Sequence, residues 1–253
     1  MRVVVKVGTH ILSEQNRLAK QRIENLVEFL VELMRKHEVI LVSSAAVAAG
    51  YSKLKLDKKL LPNRQAIAAV GQPLLIEAYN KRLALYERVG AQVLLTADDL
   101  DSRKRTAHAK AAIDTLIKHG ALPIINENDT TGTEELVFGD NDRLSAHVAF
   151  HFDADLLIIL SDIDGYYDKD PHKYKDAIMH KVIHSIDTKE LTVPCNPGSE
   201  FATGGIVTKL KAANFLIKRD IKMFMASGFD LSDVKSYMFE KIHRGGTLFE
   251  KEK

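Results

Sequence analysis

The sequence predicts an α/β fold, a doubly wound and mainly parallel sheet. Three observations carry it: apolar runs of strand length, helix-periodic segments between them, and polar clusters at the ends of the runs. Near-continuous Val, Ile and Leu are what a strand covered on both faces requires, because neither side meets water.

The first run, "MRVVVKVG" (1–8), is β-branched and ends in glycine, with Lys6 as its one interior charge. Residues 18–36 then place Ile23, Leu26, Val27, Leu30, Val31 and Met34 at helical spacing, and "EVILVSS" follows as a second strand. The alternation recurs as "AQVLLT" (91–96), a helix over 103–119, "ALPIIN" (121–126), a helix after Asp142, "ADLLIIL" (154–160), a helix from Ile206, and "IKMFMAS" (221–227). No fixed-period repeat, low-complexity tract or compositional break interrupts the chain before about residue 163, which predicts one domain over 1–253. From "DIDGYY" to "FATGG", Pro171, Pro194, Pro197 and several glycines predict irregular structure or a hairpin excursion.

Composition narrows the function classes. Lys and Arg number 36 against 34 Asp and Glu, a net charge of +2, so no strong field draws nucleic acid or anionic lipid. The lysines of "KLKLDKKL" (53–60) read as a solvated face. No apolar run approaches the roughly 18 residues of a membrane span and no signal-peptide pattern opens the chain, which predicts a cytoplasmic protein. Cys195 is the single cysteine, so neither an intramolecular disulfide nor a cysteine metal cluster can form, and "VPCNPG" reads it as a loop thiol.

In an open parallel sheet, ligands bind beyond the carboxyl ends of the strands. The polar stretches at those ends are "KVGT", "SSAAVAAG", "NENDTTG", "SDIDG" and "SGFD". P-loop, dinucleotide and protein-kinase signatures are absent. "TGGIVTKLKAANFLIK" instead sets two glycines before a helix, where free N–H groups and positive potential favour phosphate and Lys209 adds a full charge. A tight loop with a surface lysine explains that stretch too, but a lysine within the first strand, beside Gly8, is poorly explained as solubilising. The serines of "SSAAVAAG" suit a ligand, and its alanines suit close helix packing equally well. "NEND" (126–129) and "GDND" (139–142) offer carboxylates and amides that suit an amino acid, and each also suits an ordinary turn. His147 and His151 stand at a metal-ligand spacing without a third ligand, and Asp162 with Asp164 lack the later ligands of a calcium loop.

Taken in order, "VVVKVGTHIL", "LVSSAAVAAG", "AAVGQ", "PIINENDT", "FGDND", "LSDIDGYYDKDP" and "TGGIVTKLKAA" resemble the amino acid kinase family, and within it the glutamate-phosphorylating branch. The match covers nearly the whole chain. The resemblance implies a three-layer αβα sandwich in which the γ-phosphoryl group of ATP, carried with Mg²⁺, passes to the side-chain carboxylate of L-glutamate, the first step of proline synthesis. It implies that Lys6 and Lys209 stabilise the transferring group and that Asp142 holds those lysines, with a further possible role toward Mg²⁺. Ser44, Asp129 and Asn141, with their neighbours Asn126 and Asp140, would bind glutamate. Lys6, Ser161, Asp162 and the stretch Thr203, Gly204, Gly205, Ile206, Val207, Thr208 and Lys209 would bind ATP. The part before about residue 155 would thus hold glutamate and the rest ATP.

Relatives are commonly dimers or tetramers, which implies a homo-oligomer. Ala45 stands where relatives commonly have glycine, and Ala202 and Ile206 depart from the usual "GTGGM". No PUA domain, the RNA-binding type module of many bacterial relatives, is expected after "GGTLFEKEK". Two competing readings are a family member acting on acetylglutamate, aspartate, carbamate or UMP, and a silent sensor of nucleotide or amino acid. Retention of both lysines argues against the sensor.

Overall fold

The computed structural model describes residues 1–132, 141–171, 173–191 and 205–252. Strand β1 (Arg2–Val7) leads through the single turn α1 (Thr9–Leu12) and the small hairpin β2 (Ser13–Glu14) and β3 (Arg17–Leu18) into helix α2 (Lys20–Met34). Next come β4 (Glu38–Ser43), the short α3 (Ala46–Tyr51), the long α4 (Leu61–Leu83), β5 (Gly90–Leu95), α5 (Ala97–Asp101), α6 (Arg103–Lys118) and β6 (Leu122–Glu127). The later part holds α7 (Asn141–His151), β7 (Leu156–Ser161), a hairpin of β8 (Tyr166–Tyr167) with β9 (Met179–His180), and β10 (Val182–Ile183). It then runs through α8 (Gly205–Ile217), β11 (Lys222–Ser227), α9 (Ser232–Lys235) and β12 (Thr247–Phe249).

Eight strands form one sheet in the order β10-β12-β11-β7-β1-β4-β6-β5. Every neighbouring pair is parallel except β11 with β12. Strand β1 is central, with β4 on one side and β7 on the other, so the order reverses there and a crevice opens at its carboxyl end.

The two helical layers follow from the period-2 alternation of side chains along each strand. Val3, Val5 and Val7 of β1 join the core formed with α2 and α4, where Phe29, Leu30, Leu75 and Tyr79 are fully buried. Val4 faces the other way, into the core formed with α6, α7 and α8. Each such aliphatic side chain contributes about 1.5–3 kcal/mol when removed from water. Lys6 has the parity of Val4, so the strand directs it toward the α7 and α8 layer.

Two features differ from the sequence reading. Helix α4, with 23 residues, has no counterpart in the sequence reading, and it contains Pro62, Gly71 and Pro73, residues that ordinarily disfavour a helix interior. Pro62 is tolerated in the first turn, where its missing N–H has no intrahelical partner to lose. Packing against α3 overrides the rest: a Cβ on Gly71 would overlap the Ala46 carbonyl oxygen, and one on Gly50 would overlap the Ile67 carbonyl oxygen. The second is β12, which adds an antiparallel edge. The hairpin excursion expected after residue 163 is present as β8 and β9. Among the described residues no helix is long and apolar enough to cross a membrane.

Candidate active site

Lys6, one residue before the end of β1, reaches the first turn of α7, where its Nζ lies 2.5 Å from Asp142 Oδ1. Lys209, one turn into α8, donates from Nζ to the other oxygen, Asp142 Oδ2, at 3.1 Å. The Thr208 hydroxyl donates to the same Oδ2 at 2.9 Å. Exposure is 3% for Lys6, 7% for Lys209 and 0% for Asp142, so these are buried charges. Removing an ion from water costs several kcal/mol unless a partner compensates, and here two cations share one carboxylate. The N-terminal end of α7, where the backbone dipole is positive, adds favourable potential for that carboxylate. The clamp sets two ammonium groups in the crevice, an arrangement suited to an incoming anion.

Two cavities flank the clamp, and Thr9 lines both. One, of about 280 Å³, is lined by Lys6, Gly8, Ser161, Asp162, Gly205 and Lys209. The Ser161 hydroxyl donates to Asp162 Oδ1 at 2.9 Å, and His10 Nδ1 lies 3.3 Å from Asp162 Oδ2. Burial pushes the Asp162 carboxyl up, but the hydrogen bonds from Ser161 and His10 and the charge of Lys209 outweigh it and hold the group below the usual carboxylate range. Residues Gly205, Ile206, Val207, Thr208 and Lys209 open α8, and the N–H groups at its very start have no intrahelical partners.

The second cavity, of about 310 Å³, is lined by Ser44, Asn126, Asp129 and Asn141. Asn141 Nδ2 donates to Ser44 Oγ at 2.8 Å, to the Ser43 carbonyl at 3.0 Å and to Asn126 Oδ1 at 3.0 Å. The small residues Ala45, Ala46 and Ala48 form one wall, and Ala45 enters α3 with φ +81°, the left-handed region in which glycine is at ease. That conformation explains why glycine is the usual residue there.

The structure thus brings the predicted site residues that it describes to the clamp and the two cavities, except that Ile206 packs against the core and Val207 is buried in the same turn of α8; Asp140, Thr203 and Gly204 lie outside the described residues, as do Cys195 and Ala202. Thr208, predicted for the nucleotide, directs its hydroxyl to Asp142. Sequence reasoning missed Arg64, which lines the second cavity from α4, and quoted Gln72, which supports its wall, only as the end of "AAVGQ" and without a role. Thr9 was visible only as part of "KVGT" at a strand end. His147, which burial and the neighbouring His151 push down to about 4, stacks on Phe215 as a packed aromatic group.

Comparison with known proteins matches this picture. Residues 1–227 match the model of the amino acid kinase family. A Wolinella succinogenes protein named glutamate 5-kinase is 56% identical, over 98% of this chain and 97% of its own length. A Leishmania donovani protein of the same name is 52% identical, over 98% and 94% respectively. The crystal structure of an isopentenyl phosphate kinase from T. acidophilum shares the fold, with a TM-score of 0.66 at 14% identity, covering 98% of this chain and 99% of that one. By its matched domain, its relatives and the lysine clamp at the switch point of its sheet, the chain belongs to the amino acid kinase family.

Proposed function

We propose that the chain transfers the γ-phosphoryl group of MgATP to the side-chain carboxylate of L-glutamate, giving L-glutamyl 5-phosphate for proline biosynthesis. The observation that carries the mechanism is the buried Lys6, Asp142 and Lys209 clamp lying between two cavities. Glutamate binds in the cavity of Ser44, Asn126, Asp129 and Asn141, built from residues before about 155. ATP binds on the other side, along Ser161, Asp162 and the start of α8; Thr203 and Gly204, predicted for the nucleotide, lie outside the described residues.

A glutamate side chain, with a reference pKa of about 4.3, is already an anion at neutral pH, so attack needs no general base. The obstacle is repulsion between that anion and the phosphate oxygens, on which transition-state charge accumulates. Lys6 and Lys209 meet this charge, and Asp142 fixes their ammonium groups so that little reorganisation accompanies the reaction. Mg²⁺ enters with ATP as part of the co-substrate and neutralises phosphate charge. Both oxygens of Asp142 contact lysine ammonium groups, which suits it to orienting cations of the chain itself.

A substrate panel tests the proposal. ADP release, with hydroxylamine trapping of the acyl phosphate, is expected with glutamate and not with acetylglutamate, aspartate, carbamate or UMP. Turnover of one of those acceptors without glutamate turnover overturns it, and ADP release with none of them selects the sensor.

A further inference from the structure

Behind the glutamate cavity, a line of side-chain amides runs inward from the edge of the sheet. Gln72, on α4, is buried at 7% exposure and donates from Nε2 to Gln92 Oε1 at 3.1 Å. Its own Oε1 accepts from Asn126 Nδ2 at 3.0 Å, and Asn126 Oδ1 in turn accepts from Asn141 Nδ2 at 3.0 Å and from the Glu127 backbone N–H at 2.9 Å. The line ends on Ser44 Oγ and the Ser43 carbonyl, both accepting from Asn141 Nδ2. Asn126 and Asn141 line the cavity, whereas Gln72 stands behind it.

A carboxamide has a donor end and an acceptor end, so fixing one end fixes the other. Because Gln72 offers Asn126 an acceptor, Asn126 turns its NH₂ toward Gln72 and its oxygen toward Asn141. Asn141 gives its NH₂ to that oxygen, to Ser44 and to the Ser43 carbonyl, which leaves its Oδ1 as the end available to a ligand. The ammonium group of an amino acid carries donors only and needs that acceptor. Loss of the Gln72 acceptor leaves the Asn126 NH₂ without its partner and loosens the oxygen that receives Asn141.

We propose that Gln72 is a positioning residue that sets the hydrogen-bond polarity of the glutamate pocket through Asn126 and Asn141. This rests on the reading that the pocket holds glutamate. Its location supports it: Gly71, the preceding residue, permits the backbone approach of α4 to α3, and the same helix carries Gln72 to the carboxyl end of β6.

Two variants test the inference in the full-length enzyme. Gln72→Met keeps length and removes both hydrogen bonds; Gln72→Glu keeps an acceptor for Asn126, and the exposed Gln92 amide is free to turn its NH₂ toward it. Gln72→Met is expected to raise the glutamate KM on the order of tenfold, with the ATP KM and kcat within about twofold. It should also reduce the preference for glutamate over 2-hydroxyglutarate, whose hydroxyl can donate or accept. Gln72→Glu is expected to restore both quantities to within about threefold of wild type. An unchanged glutamate KM and preference in Gln72→Met, or equal impairment in the two variants, overturns the relay. If the methionine variant does not fold, Gln72→Glu decides: a tenfold rise in glutamate KM overturns the proposal, and retained selectivity against 2-hydroxyglutarate supports it. Failure of the wild-type enzyme to phosphorylate glutamate would overturn the underlying functional reading instead.

Discussion

The two cavities beside Lys6 are built from different materials. On the glutamate side the buried polar groups are neutral, Ser43, Asn126 and Asn141, and the charged Arg64, Glu127 and Asp129 are only partly buried. On the nucleotide side the buried polar groups include two ammonium ions, Lys6 and Lys209. Neutral amides offer direction at a modest desolvation cost, which serves to recognise a small zwitterion. Full charges cost more to bury and are worth more against a polyanion in a site that excludes water. The contrast separates recognition from transition-state stabilisation, with Asp142 at the seam between them.

The largest effect should come from the charged side. Lys209→Ala is expected to lower kcat by about 100-fold or more, since one lost transition-state donor typically costs that much, while steady-state glutamate KM changes little. Wild-type turnover in that variant would remove Lys209 from the mechanism. Asn141→Ala should act on the other side, raising the glutamate KM on the order of tenfold and leaving the ATP KM in place. If both constants moved together, the division between the cavities would be wrong. The smallest effect concerns the frame alone. Ala45→Gly relieves a left-handed alanine, worth roughly 1–2 kcal/mol, against a glycine entropy cost of roughly 0.5–1 kcal/mol. A rise in Tm of about 1–3 °C is expected by thermal denaturation. A fall in Tm would show that the alanine methyl packs favourably enough to offset its backbone strain.

Much of this was legible in the sequence for identifiable reasons. The strands were readable because burial on both faces demands continuous apolar runs, and Lys6 stood out because it interrupts one. "FGDND" stood out in the sequence, and the structure separates the two members that it describes by helix geometry. Asn141 and Asp142 are adjacent in the first turn of α7, roughly 100° apart around the axis, so one faces the glutamate cavity and the other the lysines. Helix α4 was illegible because its stability comes from contact with α3 through Gly50 and Gly71, which no local pattern reports. Arg64 and the role of Gln72, the last residue of "AAVGQ", were lost with it, since each acquires meaning only once that helix lies over β6.

Apart from α4 and β12, the sequence by itself determined which of the main segments are strands and helices, because side-chain period and hydrophobicity are local properties. It determined in this way that Lys6 shares a face with Val4. Only the tertiary structure decided that Lys6 meets Asp142, and that Asp142 meets Lys209 from 67 residues away. That meeting depends on the order in which parallel strands lie in the sheet and on the helices that cross between them. Strand order is set by the packing of whole layers, and the chain carries no local mark of it.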